Sequence, residues 1–387
     1  MSYRKCFTGI LAAALLVLSA CSQSRYSAAV TGDPRWVELS RFFAGMPVEE
    51  TSRLYGLTQS KAYQQHAAFM DGFWKSVSEG NISRIASWRD SHMGKFCRDN
   101  TAFYPLSGAD LVNFYSIYPH APAYVMVALE RIGSIDDPAS FSGPRLEREL
   151  HSIRRFIMSI ASRNYLISNT MESEIEGSRD LGVAPVLLIF AARLGFVIRD
   201  VERILLLPDG TVIPQLPGQV RSQKDTAEGL RIRFFRGDRT ERSIVYFQMR
   251  LRGDSLAEQA SLARYLKNAG DLNTMLKSAI YLLHYRNYRD FCHTLLDRSC
   301  MVVQDDSGVP YRYFLESGGF QITLFGKYDT PVSLKDILVP PRQADLAAAY
   351  RQKNIPLDFN FGYGAKLGPG RSNLLLARKT GEKSGSE

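Results

Sequence analysis

Few residues in this chain announce a chemistry. None of the six histidines falls in H-E-x-x-H or H-x-x-x-H, and no Cys/His set has zinc spacing, so the common metallohydrolase and zinc-module classes drop out. No G-x-S-x-G elbow presents a nucleophilic serine. "GYGAKLGPGRS" (362–372) has Arg371 where a P-loop needs Lys and Ala365 where it needs the first Gly, and it leads into a strand. A Gly-rich turn between strands accounts for it. No cofactor is expected. Beyond the N-terminus no stretch is apolar over the roughly twenty residues that a spanning helix requires. The nearest, "VAPVLLIFAARLGFVI" (183–198), contains Arg193 and reads as a buried core helix. Charge of one sign is thin as well, +9 over 387 residues. The densest basic run, "RIRFFRGDRTERS" (231–243), is interrupted by acids, unlike the face or arm of a nucleic-acid binder, so no nucleic-acid partner is expected. The "RGD" inside it (236–238) is turn chemistry.

What is present starts with a leader. "MSYRKCFTGILAAALLVLSACSQS" has basic Arg4 and Lys5, an apolar run from Phe7 to Leu18, and small residues up to Cys21. This is the three-part layout of a secretory signal. Leu18-Ser19-Ala20-Cys21 also resembles the lipobox of bacterial lipoproteins. That resemblance implies cleavage before Cys21, thioether lipidation of Cys21 and acylation of the new terminus, enough chains for stable anchoring. Ser22 after the cysteine is similar to outer-membrane-directed lipoproteins, and it implies a body facing the periplasm. The expected organisation is a signal peptide over 1–20, a lipidated Cys and polar tether over 21–34, one domain over 35–379 and a polar tail over 380–387.

Five cysteines are few. Cys6 leaves with the leader and Cys21 carries lipid, so Cys97, Cys292 and Cys300 remain. "272–299" reads as a helix broken near Asn287, and on a continuous helix Cys292 and Cys300 are separated by a rise of roughly 12 Å, too far to bridge. Either Cys97 pairs with one of them in an oxidising compartment, or all three stay reduced.

Periodicity then places the elements. "QSKAYQQHAAFMDGFWKSVSEG" (59–80) repeats apolar residues at helical steps, with Gly80 as its stop and Asn81 as cap of the next helix. "VERILLLPDGTVI" (201–213) and "GLRIRFFRGDRTERSIVYFQMRL" (229–251) read as hairpins, while "AYVMVALE" (123–130), "MVVQDD" (301–306), "GFQITLFGKY" (319–328) and "SNLLLARK" (372–379) read as strands. Helical blocks and hairpins are segregated, so the expected fold is α+β, a single large domain.

Two stretches hold the candidate site residues. In "FYPLSGADLVNFYSIYPHAPAYVMVALE" (103–130), Ser107 to Asp110 reads as a capping box for a helix from Leu111 to Ile117, with Tyr104, Asp110 and His120 as polar candidates. In "QDDSGVPYRYF" (304–314), Asp305 and Asp306 are paired carboxylates at a strand end, which can share a proton if their surroundings raise one pKa. Arg312 and Tyr313 can line the same mouth. The runs 103–135, 302–314 and 372–377 resemble, in that order, a group of uncharacterised secreted or lipid-anchored bacterial proteins with no assigned activity, which implies one integral domain and no mechanism. The function expected is a non-catalytic envelope protein that binds a protein partner or a small ligand. The competing class is an envelope hydrolase or transferase using Asp110, His120, Asp305 or Asp306.

Overall fold

Strand β1 (Thr101–Pro105) shows why the fold has layers. All five of its residues are buried, and neighbours along a strand point to opposite faces. Phe103 packs into one hydrophobic cluster while Ala102 and Tyr104 pack into another. A strand buried on both faces needs helices on both sides. In the computed structural model, which describes residues 32–380 apart from 96, 164–181, 217–225, 252–255, 334–339 and 369, that is what surrounds it. The leader, Cys21, nearly all of the tether and the tail from residue 381 lie outside the described residues.

The other strands are β2 (Ala123–Ala128), β3 (Val197–Leu206), β4 (Val212–Pro214), β5 (Ala227–Phe235), β6 (Glu241–Gln248), β7 (Leu272–Leu276), β8 (Ser299–Gln304), β9 (Phe320–Gly326) and β10 (Asn373–Lys379). They form one sheet in the order β4-β3-β5-β6-β2-β1-β7-β8-β10-β9. Both flanks are antiparallel, β4/β3/β5/β6 on one side and β8/β10/β9 on the other, where β10 returns from a distance to insert between β8 and β9. The β3–β4 turn works as its residues require: Gly210 has φ 86°, and Asp209 Oδ1 accepts from the Thr211 amide at 2.8 Å. The centre, β6-β2-β1-β7-β8, is parallel throughout. The fold is α+β in a single domain.

Helices Pro34–Phe43, Lys61–Val77, Ser83–His92, Leu111–Ile117, Gly143–Arg163 and Val183–Arg193 cover one face. Helices Leu256–Asn268, Arg289–Arg298, Tyr311–Ser317 and Ala344–Gln352 cover the other. Each fully buried large apolar side chain contributes about 1.5–3 kcal/mol, so two such layers outweigh any single polar contact in holding the sheet. Val183–Ala192 is buried along its whole length and stops at Gly195, φ 80°. Arg193 escapes to the edge, donating to the Ala44 carbonyl and to Asp71. Among the described residues no helix is long and apolar enough to cross a membrane.

Two expectations about helices fail for identifiable reasons. Residues 272–299 are not one helix: they hold β7, then two 3-10 turns, then helix Arg289–Arg298. "LNTML" is buried on both faces, so it lacks the two-residue polarity that marks a half-exposed strand. Gly80 does not stop the helix before it, because a π-turn, Ser78–Ile82, carries the chain through to the next helix.

Of the cysteine alternatives, the bridge forms between Cys97 and Cys300, whose Cα atoms are 6.3 Å apart. It joins the entry of β1 to the entry of β8. Cys292 stays reduced and buried. Burial pushes its thiol pKa up to about 12, which removes the nucleophilic thiolate.

Candidate functional site

β1 leads through helix Leu111–Ile117 to β2 on one side, and β7 leads through helix Arg289–Arg298 to β8 on the other. Since β1 and β7 are neighbours, the connections leave in opposite directions and open a crevice at the strands' carboxyl ends, the usual position of a ligand site in such sheets. The chain turns sharply there. Leu106, Ser278, Ile280 and Tyr281 all hold positive φ, between 46° and 61°, a conformation costing roughly 1–3 kcal/mol for each non-glycine residue. Surrounding hydrogen bonds must hold them in place.

Asp110 is the first of these holding groups. It occupies the N-cap position of helix Leu111–Ile117 but makes no capping bond, and the Ser107 hydroxyl donates to the Gly108 carbonyl instead. The expected capping box is therefore not made. Asp110 Oδ2 lies 2.7 Å from Lys277 Nζ and 3.3 Å from the Tyr104 hydroxyl, while Oδ1 accepts from Asn113 Nδ2 at 2.7 Å. The side chains of Lys277 and Asp110 are 2% and 8% exposed. A buried ammonium at contact distance attracts the carboxylate far more strongly than the helix's own amides do. The Tyr104 hydroxyl is also 3.1 Å from the Lys277 carbonyl, and burial plus the charges of Asp110 and Asp305 raise its pKa.

Asp305 and Asp306 form the second holding group. Asp305 accepts from the amides of Ser278, Ser307 and Tyr363 and from the Ser307 hydroxyl. It thus ties the exit of β7 to the exit of β8 and to the Gly-rich turn. Gly362, at φ 62°, lies so close that a Cβ there would collide with the Asp305 carboxylate. Asp306 Oδ1 accepts from Asn373 Nδ2 and Oδ2 from the Tyr281 hydroxyl, at 2.8 and 3.0 Å. Burial raises the pKa of both acids, and the charge of Asp305 raises Asp306 further. Asp305 has twice the donors, so Asp306 is the one that takes a proton first.

Outside Asp110 lies a cleft of about 520 Å³. Its polar wall is a chain of amides: Asn360 N–H donates to Asn81 Oδ1, Asn81 Nδ2 to Asn113 Oδ1, and Asn113 Nδ2 to Asp110. Asn81 reaches the cleft because the π-turn carries it there, and π-turns recur at functional sites. Phe73 and Phe359 supply ring faces, and Arg84 donates to the Asp358 carbonyl at its rim. This wall can hydrogen-bond a polar ligand lying against aromatic rings. Among the described residues no group of three or more His, Cys, Asp or Glu could hold a metal ion.

The sequence candidates thus separate. Tyr104, Asp110 and Asp305 share one polar cluster, and Asp306 backs it. His120 precedes β2 and lies at the opposite edge of the sheet, beside Arg98. Arg312 and Tyr313 sit on helix Tyr311–Ser317 and engage each other, with the guanidinium 4.9 Å from the ring centroid; Tyr313 packs into the second hydrophobic cluster rather than lining the crevice. His66 is a core histidine and His284 is half-buried; desolvation lowers both pKa values to about 4 and keeps both rings neutral. Sequence reasoning missed Lys277 and Asn81. The signal for Lys277 is a lone charge ending a short run that holds no other charge, "LNTMLK". Compared with known proteins, the chain matches no family, no curated protein and no solved structure.

Proposed function

We propose that this chain is a bacterial envelope lipoprotein, anchored to the membrane through lipidated Cys21, whose body binds a small polar ligand without transforming it. The ligand lies in the cleft outside Asp110. It is uncharged and rich in hydroxyl or amide groups, as sugars and peptides are. One observation carries this reading: the carboxylate oxygens of Asp110, Asp305 and Asp306 already have internal donors, while the cleft wall carries the amides of Asn81, Asn113 and Asn360 and the rings of Phe73 and Phe359, with Arg84 and Asp358, of opposite charge, beside them. The Cys97–Cys300 bridge supports an oxidising compartment, and the leader supports the address.

Native mass spectrometry of the purified protein tests the binding. A co-purifying neutral species that Asn113→Ala releases supports the proposal; no bound species, together with no thermal shift across a glycan and peptide panel, overturns it. Labelling cells with a clickable palmitate analogue tests the anchor, and equal labelling of wild type and Cys21→Ala sinks it. The alternative, a hydrolase or transferase, has in its favour that Asp110 and Asp305 both act on Tyr104. Against it stands that both carboxylate oxygens of Asp110, Asp305 and Asp306 already accept internal hydrogen bonds.

A further inference from the structure

At the amino-terminal edge of the same parallel strands lies a second pocket, of about 240 Å³, lined by Lys95, Cys97, Arg98, His120 and Asn273 among others. Its charge is unbalanced. Arg89 is spoken for, pairing with Asp90 and donating to the Ser116 carbonyl. Among the described residues no carboxylate pairs with Lys95 or Arg98; the guanidinium of Arg98 donates to the His120 ring. Burial, then Arg98, Arg89 and Arg242, lower the His120 pKa, so the ring is a neutral acceptor that orients Arg98.

A second observation is independent of the charges. Asn273 is 2% exposed. Its Nδ2 donates to the Cys97 carbonyl at 2.6 Å, which fixes the amide's orientation. Its Oδ1 is buried and has no partner. A buried acceptor left unpaired is costly, so the pocket favours an occupant that supplies a donor as well as negative charge.

We infer that this pocket binds an oxyanion carrying its own hydroxyl, namely hydrogenphosphate, either free or as the head of a small phosphomonoester. Arg98 and Lys95 take the anionic oxygens, and Asn273 Oδ1 accepts from the P–OH. The volume leaves room for a short ester substituent. The site is separate from the cleft outside Asp110, and the two stand or fall independently.

Sulfate has the same shape but no hydroxyl, which makes it the decisive comparison. The purified protein is titrated calorimetrically at pH 6, near the second pKa of a phosphomonoester, with inorganic phosphate, glycerol 3-phosphate and sulfate in turn. Phosphate or the ester is expected to bind at least roughly tenfold more tightly than sulfate, because sulfate leaves the Asn273 acceptor unpaired. The ester binding better than phosphate identifies a phosphomonoester as the source; the reverse identifies free phosphate. Arg98→Ala, at an exposed position, should weaken binding roughly tenfold or more. Sulfate binding as tightly as phosphate, or Arg98→Ala binding like wild type, overturns the inference.

Discussion

At the carboxyl ends of β1, β7 and β8, Asp110, Lys277, Asp305 and Asp306 are sealed behind internal partners, whereas at the amino ends of the same strands Lys95, Arg98 and His120 stand around an open pocket. The strands are shared, so the contrast comes from the connections. At the carboxyl edge the chain reverses through strained residues, and charges are drawn inward to hold the reversals. At the amino edge the Cys97–Cys300 bridge does the holding, which leaves the charged side chains without a structural task. Charge in this crevice is structural, while the cations at the covalently pinned edge are the ones we propose to bind a ligand.

That contrast can be broken by measurement. Asp305→Ala should be the most damaging change, destabilising by roughly 5 kcal/mol because three buried amides lose their acceptor; a urea midpoint near wild type would show that the carboxyl edge is not held this way. Lys277→Met should cost roughly 3–5 kcal/mol by stranding a buried Asp110, and adding Asp110→Asn should restore much of it. Cys97→Ser should cost about 2–5 kcal/mol by releasing a closed loop of 203 residues, read as a lower melting temperature.

Asp306→Asn sharpens the contrast through pH. The folded-state pKa of Asp306 is raised above the unfolded value near 4, so the folded protein holds a proton that the unfolded chain releases. Wild-type stability from this group is present below pH about 4 and falls as pH rises. An Asn mimics the protonated form, so the stability of Asp306→Asn relative to wild type should increase from pH 4 to pH 8, by at most about 1.4 kcal/mol per pH unit; a flat difference rules this out. His120→Ala should do least, within about 0.5 kcal/mol of wild type.

Much of this was legible beforehand. The hairpin turn at Asp209-Gly210, the helix over 111–117 and the strand that runs up to Gln304, just before Asp305, follow from local chemistry and period. The parallel centre was hidden because β1 and β7 are short and buried on both faces, so neither alternates. The role of Asp110 was hidden for another reason: its helix-capping position is local, but its partner Lys277 is distant in sequence, and tertiary charge overrode the local preference. Gly80 has the chemistry of a helix stop, which makes Asn81 look like a cap, and nothing local signals a π-turn.

Cys292, the one reduced cysteine among the described residues, bears on how the chain comes of age. Of the three cysteines downstream of Cys21, synthesis presents Cys97 first, and the next thiol to appear is Cys292, not its proper mate Cys300. Cys292 is thus a decoy placed just ahead of the target. The fold places Cys97 beside Cys300, so any 97–292 link formed on the way would have to exchange before the native pair can form; a chain in which residue 292 has no sulfur lacks that competitor.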